Sequence, residues 1–324
     1  MCGIGGIYNG GGSIPIAPLK ALWRALEARG DHAAGFALQW TDADEPIVVK
    51  QPGPSTRLHK RLSKFIGDGS ATQYVMLHTR YTTQGSVKNN ANNHPVVSAG
   101  MIVTHNGVLF NDSNIMSQLG HSPVGEVDTE AINAGLRHES PGWVLDEVDG
   151  SMSIAWVDST NAPNTVNLMT NGQNPLVIAR TKSNHIVWAS TKSILDDAGF
   201  DIKSFFHATP FKVYTLTPDG IIRSELVSEQ RSKPNYGYAL HAASRPQWWE
   251  FESGGHIDRL SSSRAPARPQ KRLKRGKKAK RVKRGRKVED ACRVLPGKPS
   301  PVKGMVWVWR RNGWSLVLES EVSL

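Results

Sequence analysis

The chain opens with MCGIGGIY, residues 1–8, in which a cysteine in second position precedes a short apolar segment. Glycines and isoleucines follow Cys2, and the segment ends at the stretch NGGG, residues 9–12. An apolar run of this length, bounded by asparagine and glycine, is typical of a buried β-strand. We therefore predict a strand over residues 3–8, with the thiol of Cys2 at its start.

A cysteine that becomes the N-terminal residue carries its own base. The side chain after Met1 is small, so an aminopeptidase can remove Met1 and expose Cys2. The freed α-amino group has a reference pKa of about 7.7–8.0, so a useful fraction is unprotonated near neutral pH. That amine could take the thiol proton directly or through a water molecule. Taken alone, a cysteine in second position is more often accidental, so the interpretation depends on other residues.

The rest of residues 1–226 predicts many strands and few helices. Runs rich in Val, Ile and aromatic residues predict strands at 34–40, 46–50, 73–79, 100–105, 152–158, 165–170, 175–180, 185–190, 211–216 and 220–226. Apolar residues at helical spacing predict helices at 16–28 and 129–138, with weaker signals at 56–66 and 192–198. Strands and helices do not alternate strictly, which favours an α+β layered fold over a doubly wound parallel sheet.

Three polar motifs follow or precede these elements. HTRYTTQG, residues 78–85, stands at a predicted strand end, where Arg80 beside hydroxyls suits bidentate binding of a small carboxylate. In THNG, residues 104–107, an Asn side chain and a Gly N–H could form an oxyanion hole, worth about 10²–10³ in rate per donor. In VDTE, residues 127–130, Asp128 could hold a substrate ammonium. Each motif also has an ordinary interpretation: a surface arginine, an Asn-Gly turn, and a helix N-cap.

Together these residues supply a thiol, an amine base, an oxyanion hole, a cation and an anion. In this combination the chain resembles a class II glutamine amidotransferase domain, a member of the N-terminal-nucleophile hydrolases. The resemblance covers about residues 2–226 and is carried, in the family's order and spacing, by MCGIGGI, HTRYTTQG followed by NNANNHPV, VTHNGVLFN and VDTEAI.

The resemblance implies a fold and a set of roles. The fold is a four-layer αββα sandwich of two stacked antiparallel sheets, with the domain over residues 1–230. Cys2 would attack the glutamine amide, and Asn106 and Gly107 would stabilise the oxyanion. The substrate-binding residues would be Arg80 for the α-carboxylate, Asp128 for the α-ammonium, and Tyr81, Thr83 and Gln84 beside them. The reaction would pass through a thioester and would use no cofactor and no metal.

The sequence departs from the family's pattern at three positions. The family commonly has R-G-x-D-x-x-G after its first helix, and His32 stands where the Asp would be. Gln84 stands where some members carry His, and Tyr81 where some carry Trp. None of these changes removes a catalytic group, so they bear on loop structure and substrate selectivity.

The basic residues are concentrated in one segment. The formal net charge is +12, but residues 264–287 hold 14 of the 40 Lys and Arg and no acidic residue, which leaves 40 − 14 = 26 basic against 28 acidic residues elsewhere. Such a segment is predicted to be disordered, because like charges repel and nothing apolar is available to bury. It could bind nucleic acid through phosphates, bind an acidic protein, or remain a solvated tail.

The remaining C-terminal residues predict two further pieces. Residues 231–263 form a polar extension with little periodicity. Residues 301–324 predict a β-hairpin whose two apolar arms flank Asn312-Gly313, a pair suited to a type I′ turn.

Location and partners follow from what the sequence lacks. Two cysteines, no secretory signal and no apolar run of about 18 residues lead us to expect a cytoplasmic protein that binds no membrane. After residue 226 we find no P-loop and no dinucleotide fingerprint, so we expect a separate chain to be the ammonia-accepting synthase.

Two alternatives stay open: a hydrolase of another γ-glutamyl amide, and a non-catalytic nucleic-acid-binding protein that keeps the fold. The sequence does not indicate the oligomeric state.

Overall fold

A computed structural model describes residues 1–98, 100–226, 293–294, 305–310 and 313–318. The chain divides into two units, residues 1–230 with 290–324, and residues 231–289. The predicted polar extension at 231–263 and the basic segment at 264–287 therefore lie outside the described residues.

The described residues form strands and α-helices, numbered here in chain order. The strands are β1 Gly3–Tyr8, β2 Ala33–Trp40, β3 Ile47–Pro52, β4 Thr72–Arg80, β5 Val96–Ser98, β6 Met101–Leu109, β7 Gly150–Asp158, β8 Val166–Thr170, β9 Val177–Thr181, β10 Ile186–Ala189, β11 Ile202–His207, β12 Lys212–Leu216, β13 Ile222–Leu226, β14 Arg293–Val294, β15 Met305–Arg310 and β16 Gly313–Leu318. The helices are α1 Ile16–Leu26, α2 His59–Ile66, α3 Asp112–Gln118, α4 Thr129–His138, α5 Pro141–Glu147 and α6 Lys192–Asp197.

Two large antiparallel sheets contain all the strands from β1 to β13. The first has seven strands in the order β11-β9-β10-β1-β4-β2-β3, and the second has six in the order β13-β12-β8-β7-β6-β5. Strand β1 lies in the interior of the first sheet, hydrogen-bonded to β4 on one side and to β10 on the other. The start of the chain is therefore fixed by two neighbours.

Three hydrophobic cores define the layers. One packs α1, α2 and α6 against the outer face of the seven-stranded sheet, and another fills the space between the two sheets. A third packs α3, α4 and α5 against the outer face of the six-stranded sheet. Strand β1 serves two of these cores, because Ile7 faces the helices whereas Ile4 and Tyr8 face the other sheet. The predicted four-layer αββα architecture is confirmed.

Helix α1 shows how the sequence builds one of these layers. Leu19, Leu22, Trp23 and Leu26 are buried and recur at helical spacing, so one face of the helix is apolar. The indole N–H of Trp23 also donates to the carbonyl of His78 at 3.0 Å, which attaches the helix to β4. Truncating a buried tryptophan to alanine costs about 3–5 kcal/mol in typical cores, so this contact is important for the layer.

The sequence-based prediction missed two strands and two helices in this region. These are β5, which has only three residues, β11, whose side chains are largely exposed, and the short helices α3 and α5. Strand β6 was predicted to end at 105, but it continues to Leu109 because every residue from Met101 onward pairs with β7. Asn106-Gly107 therefore lies inside a strand, and the turn interpretation of that pair is wrong.

The C-terminal described residues form a separate three-stranded sheet in the order β14-β15-β16. β15 and β16 pair in an antiparallel manner, as the predicted hairpin arms require. The register places Arg310 opposite Gly313, so Gly313 belongs to the second strand, and Asn312 lies outside the described residues. Strand β14 was not predicted.

Within the described part of the chain, no helix combines the length and apolar character needed to cross a bilayer.

Candidate active site

Cys2 lies beside the end of β4 because Gly3 allows a very close approach there. Gly3 pairs with Thr79, and a Cβ at Gly3 would lie 2.6 Å from the Thr79 hydroxyl and 2.8 Å from the carbonyl of Leu26. A side chain at this position would clash with a backbone atom. The close packing places the Cys2 thiol 3.6 Å from the carbonyl of Tyr81, to which it donates. The first two motifs are therefore adjacent in space.

The Cys2 thiol is only partly accessible, and burial raises its pKa above the ordinary value. The sulfur is consequently protonated near neutral pH, and a base must remove the proton before it can act as a nucleophile. The backbone carbonyl of Cys2 accepts a hydrogen bond from Nε of Arg29 at 2.9 Å, which holds the nucleophile's main chain in place.

Arg80 ends β4 and is buried, with much of its guanidinium bonded to the protein. It donates to Oδ1 of Asn93 at 2.9 Å, to the carbonyl of Gly85 at 3.1 Å, and to the carbonyl of Gln84. These bonds account for three of the five N–H groups of a guanidinium. Arg80 therefore shapes the loop that follows β4. Burial lowers the pKa of Arg80, and interactions with Cys2 and Asp128 oppose that shift.

Asn106 is the most unusual polar residue of the site. It is fully buried inside β6, yet neither Oδ1 nor Nδ2 has a hydrogen-bond partner among the described residues. An unpaired buried amide is unfavourable, so a ligand atom is the natural partner for it. Its main chain is fixed, because its carbonyl accepts from Nδ2 of Asn174 at 3.1 Å. Beside it, Gly107 has no room for a side chain, since a Cβ would lie 1.8 Å from the carbonyl of Ser151.

Asp128 directly precedes α4, but its carboxylate does not cap that helix. Oδ2 accepts from the backbone N–H of Leu109 at 2.9 Å, and Oδ1 lies 3.7 Å from Nδ1 of His105. Burial alone would raise the pKa of Asp128, but the interactions with His105 and the hydrogen bonds from Leu109 and Thr129 outweigh it and lower the pKa. Asp128 is therefore an ionised, buried carboxylate.

The loop after β4 connects these charged groups. Oε1 of Gln84 accepts from the backbone N–H of Asp128 at 3.2 Å, while its own carbonyl accepts from Arg80. His32, in place of the family's Asp, accepts from the N–H of Thr82 at 3.0 Å and stacks on Tyr81 with ring centroids 4.9 Å apart. Thr83 is exposed on the same loop. The substitution at His32 thus keeps a hydrogen-bond acceptor for this loop.

A cavity of about 460 Å³ lies beside Gln84. Val127 and Ala131 also line it, whereas Cys2, Arg80, Asn106 and Asp128 do not.

Three buried histidines adjoin the site, and sequence reasoning did not assign them a role. The rings of His78 and His94 stack with centroids 4.2 Å apart, and Nε2 of His78 lies 3.0 Å from the carbonyl of His105. Burial lowers the pKa of His78 to about 3 and that of His94 well below its ordinary value, so both are neutral. Within the described residues, no group of His, Cys, Asp and Glu side chains is arranged to hold a metal ion. The only sequence signal for this cluster is a histidine in each of three neighbouring motifs.

Comparisons with known proteins find similar domains. A family model described as a glutamine amidotransferase domain matches residues 78–197, which include Arg80, Asn106 and Asp128. A glutamine–fructose-6-phosphate aminotransferase (isomerizing) of Listeria innocua is 28% identical over 254 residues, covering 75% of this chain and 40% of the relative. The protein of the same name from Shigella flexneri is 32% identical over 197 residues, covering 55% of this chain and 30% of the relative. This chain thus spans 40% or less of the length of these relatives.

Solved structures share the fold. Glutamine phosphoribosylpyrophosphate amidotransferase from B. subtilis superposes with a TM-score of 0.55 at 21% identity, covering 71% of this chain and 50% of that chain. A structure described as the allosteric regulatory enzyme of purine biosynthesis gives a TM-score of 0.56 at 20% identity, with the same coverage. The two antiparallel sheets and the helical layers are common to them. Residues 78–197 therefore match a glutamine amidotransferase domain, and the chain shares the fold of these two solved structures.

Proposed function

We propose that this protein hydrolyses the side-chain amide of glutamine to glutamate and ammonia, with Cys2 as the nucleophile. The observation that carries the proposal is Asn106, whose buried side-chain amide has no partner among the described residues. A buried donor held on a rigid strand is preorganised for the charge that develops in an acyl-transfer transition state. The thiol beside the end of β4 supplies the matching nucleophile.

The nucleophile is activated within its own residue. After removal of Met1, the α-amine of Cys2 accepts the thiol proton, directly or through a water molecule. The sulfur then attacks the side-chain amide carbon of glutamine and forms a tetrahedral intermediate with a C–S bond. Nδ2 of Asn106 and the N–H of Gly107 stabilise the negative oxygen. This step needs a base, because burial raises the pKa of the thiol.

The intermediate then collapses in two stages. The proton taken from the thiol passes to the leaving nitrogen, the C–N bond breaks, and ammonia departs from a thioester on Cys2. Water then attacks the thioester, assisted by the same amine, and the C–S bond breaks. Glutamate leaves and the thiol is restored.

Two charged residues orient the substrate. Asp128 binds the α-ammonium, and Arg80 binds the α-carboxylate with the N–H groups that are not bonded to Asn93, Gln84 and Gly85. Charge-assisted hydrogen bonds of this kind are stronger than neutral ones, and they favour an α-amino acid over a simple amide. Tyr81, Thr83 and Gln84 complete this side of the site.

We further propose that the ammonia is consumed by a synthase on a separate chain. The relatives named glutamine–fructose-6-phosphate aminotransferase are longer than the matched region, since the alignment covers 40% of the Listeria protein. In this sequence, residues 227–324 contain no P-loop or dinucleotide motif that would indicate a synthase. Mass spectrometry of proteins that co-purify with the chain tests this part of the proposal.

The central experiment measures ammonia and glutamate release by the full chain, with Cys2→Ala as the inactive control. We expect turnover of glutamine that Cys2→Ala abolishes while the fold is retained. A panel of larger γ-glutamyl amides is run beside it. Turnover of a larger amide without turnover of glutamine would replace the proposed substrate, and no turnover of any amide would favour a non-catalytic binding protein.

A further inference from the structure

Thr129 is the first residue of α4, and its hydroxyl contacts three functional groups. The side chain is fully buried, and Oγ1 lies 2.8 Å from Nε2 of His94, 3.1 Å from Nδ1 of His105 and 3.3 Å from Oδ1 of Asp128. A hydroxyl has one proton and two lone pairs, so it can serve all three contacts at once. None of the motif assignments gives this hydroxyl a role.

An ionised carboxylate can only accept hydrogen bonds, so the Thr129 hydroxyl donates to Asp128. With its proton used there, the oxygen has two lone pairs available for the imidazole N–H groups. Nε2 of His94 makes the shortest of these contacts, at 2.8 Å. The other nitrogen of His94, Nδ1, has no partner among the described residues, which leaves Nε2 as the position where its proton is bonded.

We propose that Thr129, oriented by His94, is a positioning residue that fixes the Asp128 carboxylate for the substrate ammonium. This inference rests on the proposed glutaminase function and assigns it a residue that does not touch the reacting atoms.

The geometry around Asp128 explains why such a residue is needed. Oδ2 is held from strand β6 by the N–H of Leu109 at 2.9 Å. With this bond alone, the carboxylate could still rotate about its last side-chain torsion, which is soft for aspartate. The Thr129 bond to Oδ1 fixes the second oxygen. The plane of the carboxylate is then set by two elements, a strand and a helix start, before glutamine arrives.

His94 is suited to this task by its surroundings. It is buried, its ring stacks on His78, and burial keeps it neutral. A neutral imidazole brings one N–H without adding a charge that would compete with the substrate ammonium for Asp128. The titratable groups around the carboxylate are Cys2, Arg80 and His105, and of these His105 also contacts the Thr129 hydroxyl, at 3.1 Å.

The test is a double-mutant cycle measured in glutaminase assays of the full chain. Thr129→Val keeps the shape and removes the hydroxyl, and we expect it to raise KM for glutamine by about 10-fold, equivalent to about 1.4 kcal/mol. We expect kcat to change much less, because the contact is made to a binding group. Thr129→Ser keeps the hydroxyl and should restore KM to near the wild-type value.

Combining Thr129→Val with Asp128→Asn distinguishes a loss of carboxylate positioning from general damage to the fold. In an Asp128→Asn background, Thr129→Val should change KM little further, because the group it positions has already lost its charge. Thr72→Val is the matched control, since Thr72 is a buried threonine whose hydroxyl has no partner among the described residues, and it should leave KM unchanged. If Thr129→Val does not fold, Thr129→Ala takes its place in the same cycle.

The outcomes separate this inference from the function on which it rests. Additive effects of Thr129→Val and Asp128→Asn, or an unchanged KM in Thr129→Val, would overturn the positioning role while the glutaminase function stands. A wild-type protein that does not hydrolyse glutamine would overturn both.

Discussion

The backbone N–H of Leu109 donates to Oδ2 of Asp128 at 2.9 Å and so joins the end of β6 to the start of α4. Asn106 lies three residues before Leu109 on the same strand. The proposed oxyanion group and the proposed ammonium-binding carboxylate are therefore attached to one hydrogen-bonded frame. A shift of β6 against β7 would disturb both substrate binding and the chemical step.

Removing the Asn106 amide tests the oxyanion assignment. We expect Asn106→Ala to lower kcat by about 10²–10³ with a small change in KM, because the lost bond forms mainly in the transition state. The control is Asn164→Ala, which removes an amide whose Oδ1 is also buried without a partner among the described residues. That control should keep its kcat. Equal losses in the two variants would indicate a general effect of deleting buried amides.

The identity of the N-terminal residue of the active protein tests whether the α-amine of Cys2 is the base. We expect the intact mass of the active protein to correspond to a chain that starts at Cys2, because the mechanism needs a free amine next to the thiol. A glutamine-analogue electrophile such as diazo-oxo-norleucine should label Cys2 and not Cys292. An active protein that retains Met1, or labelling confined to Cys292, would exclude the amine-as-base mechanism.

Substitutions of Arg80 and Asp128, the two charged residues proposed to bind glutamine, test substrate recognition. Arg80→Lys should raise KM for glutamine strongly, because an ammonium cannot replace the planar guanidinium that also holds the carbonyls of Gln84 and Gly85. Asp128→Asn should raise KM by leaving the substrate ammonium without a counter-charge. Arg180→Lys, at a half-buried arginine that bonds Asn184 and Gly220, is the matched control and should have a normal KM. Near-normal KM in the two site variants would mean that glutamine binds elsewhere.

The basic segment at 264–287 gives a prediction about nucleic acid. The rest of the chain has 26 basic and 28 acidic residues, so phosphate affinity should reside in this segment. If about six phosphates are neutralised, affinity should fall by about 10³ between 50 and 200 mM salt, with little dependence on sequence. Deleting 264–287 should remove the binding and leave glutaminase activity largely unchanged. Undiminished binding after the deletion, or no binding at low salt, would contradict this prediction.

The buried histidines predict acid sensitivity. The pKa of His78 is about 3 in the folded protein, whereas the unfolded chain binds the proton near the ordinary 6.5. The unfolded state therefore binds more protons between these values, and the free energy of unfolding should fall as pH drops from 6.5 towards 3. The slope approaches about 1.4 kcal/mol per pH unit for each such histidine. Urea unfolding across this range measures it, and His78→Asn should show a shallower slope than the wild type.

Local sequence patterns were sufficient for much of the fold. Strand β1 was predicted with its observed bounds, since its apolar run is bounded by glycine and asparagine. The Asn106-Gly107 pair shows the limit of local rules, because its turn preference is overridden by pairing of β6 with β7 along the whole strand. The role of Thr129 was not predictable in the same way. Its contacts join His94, His105 and Asp128, which only the tertiary fold brings together.

The interior position of β1 also sets the order of events during translation. Gly3–Tyr8 is made long before its partner β10, which ends at Ala189. A nascent chain shorter than that has an incomplete sheet, with one side of β1 still unpaired. An aminopeptidase can therefore remove Met1, which is still 49% exposed in the folded domain, before both sides of β1 are paired, and this would leave the proposed nucleophile at the N-terminus.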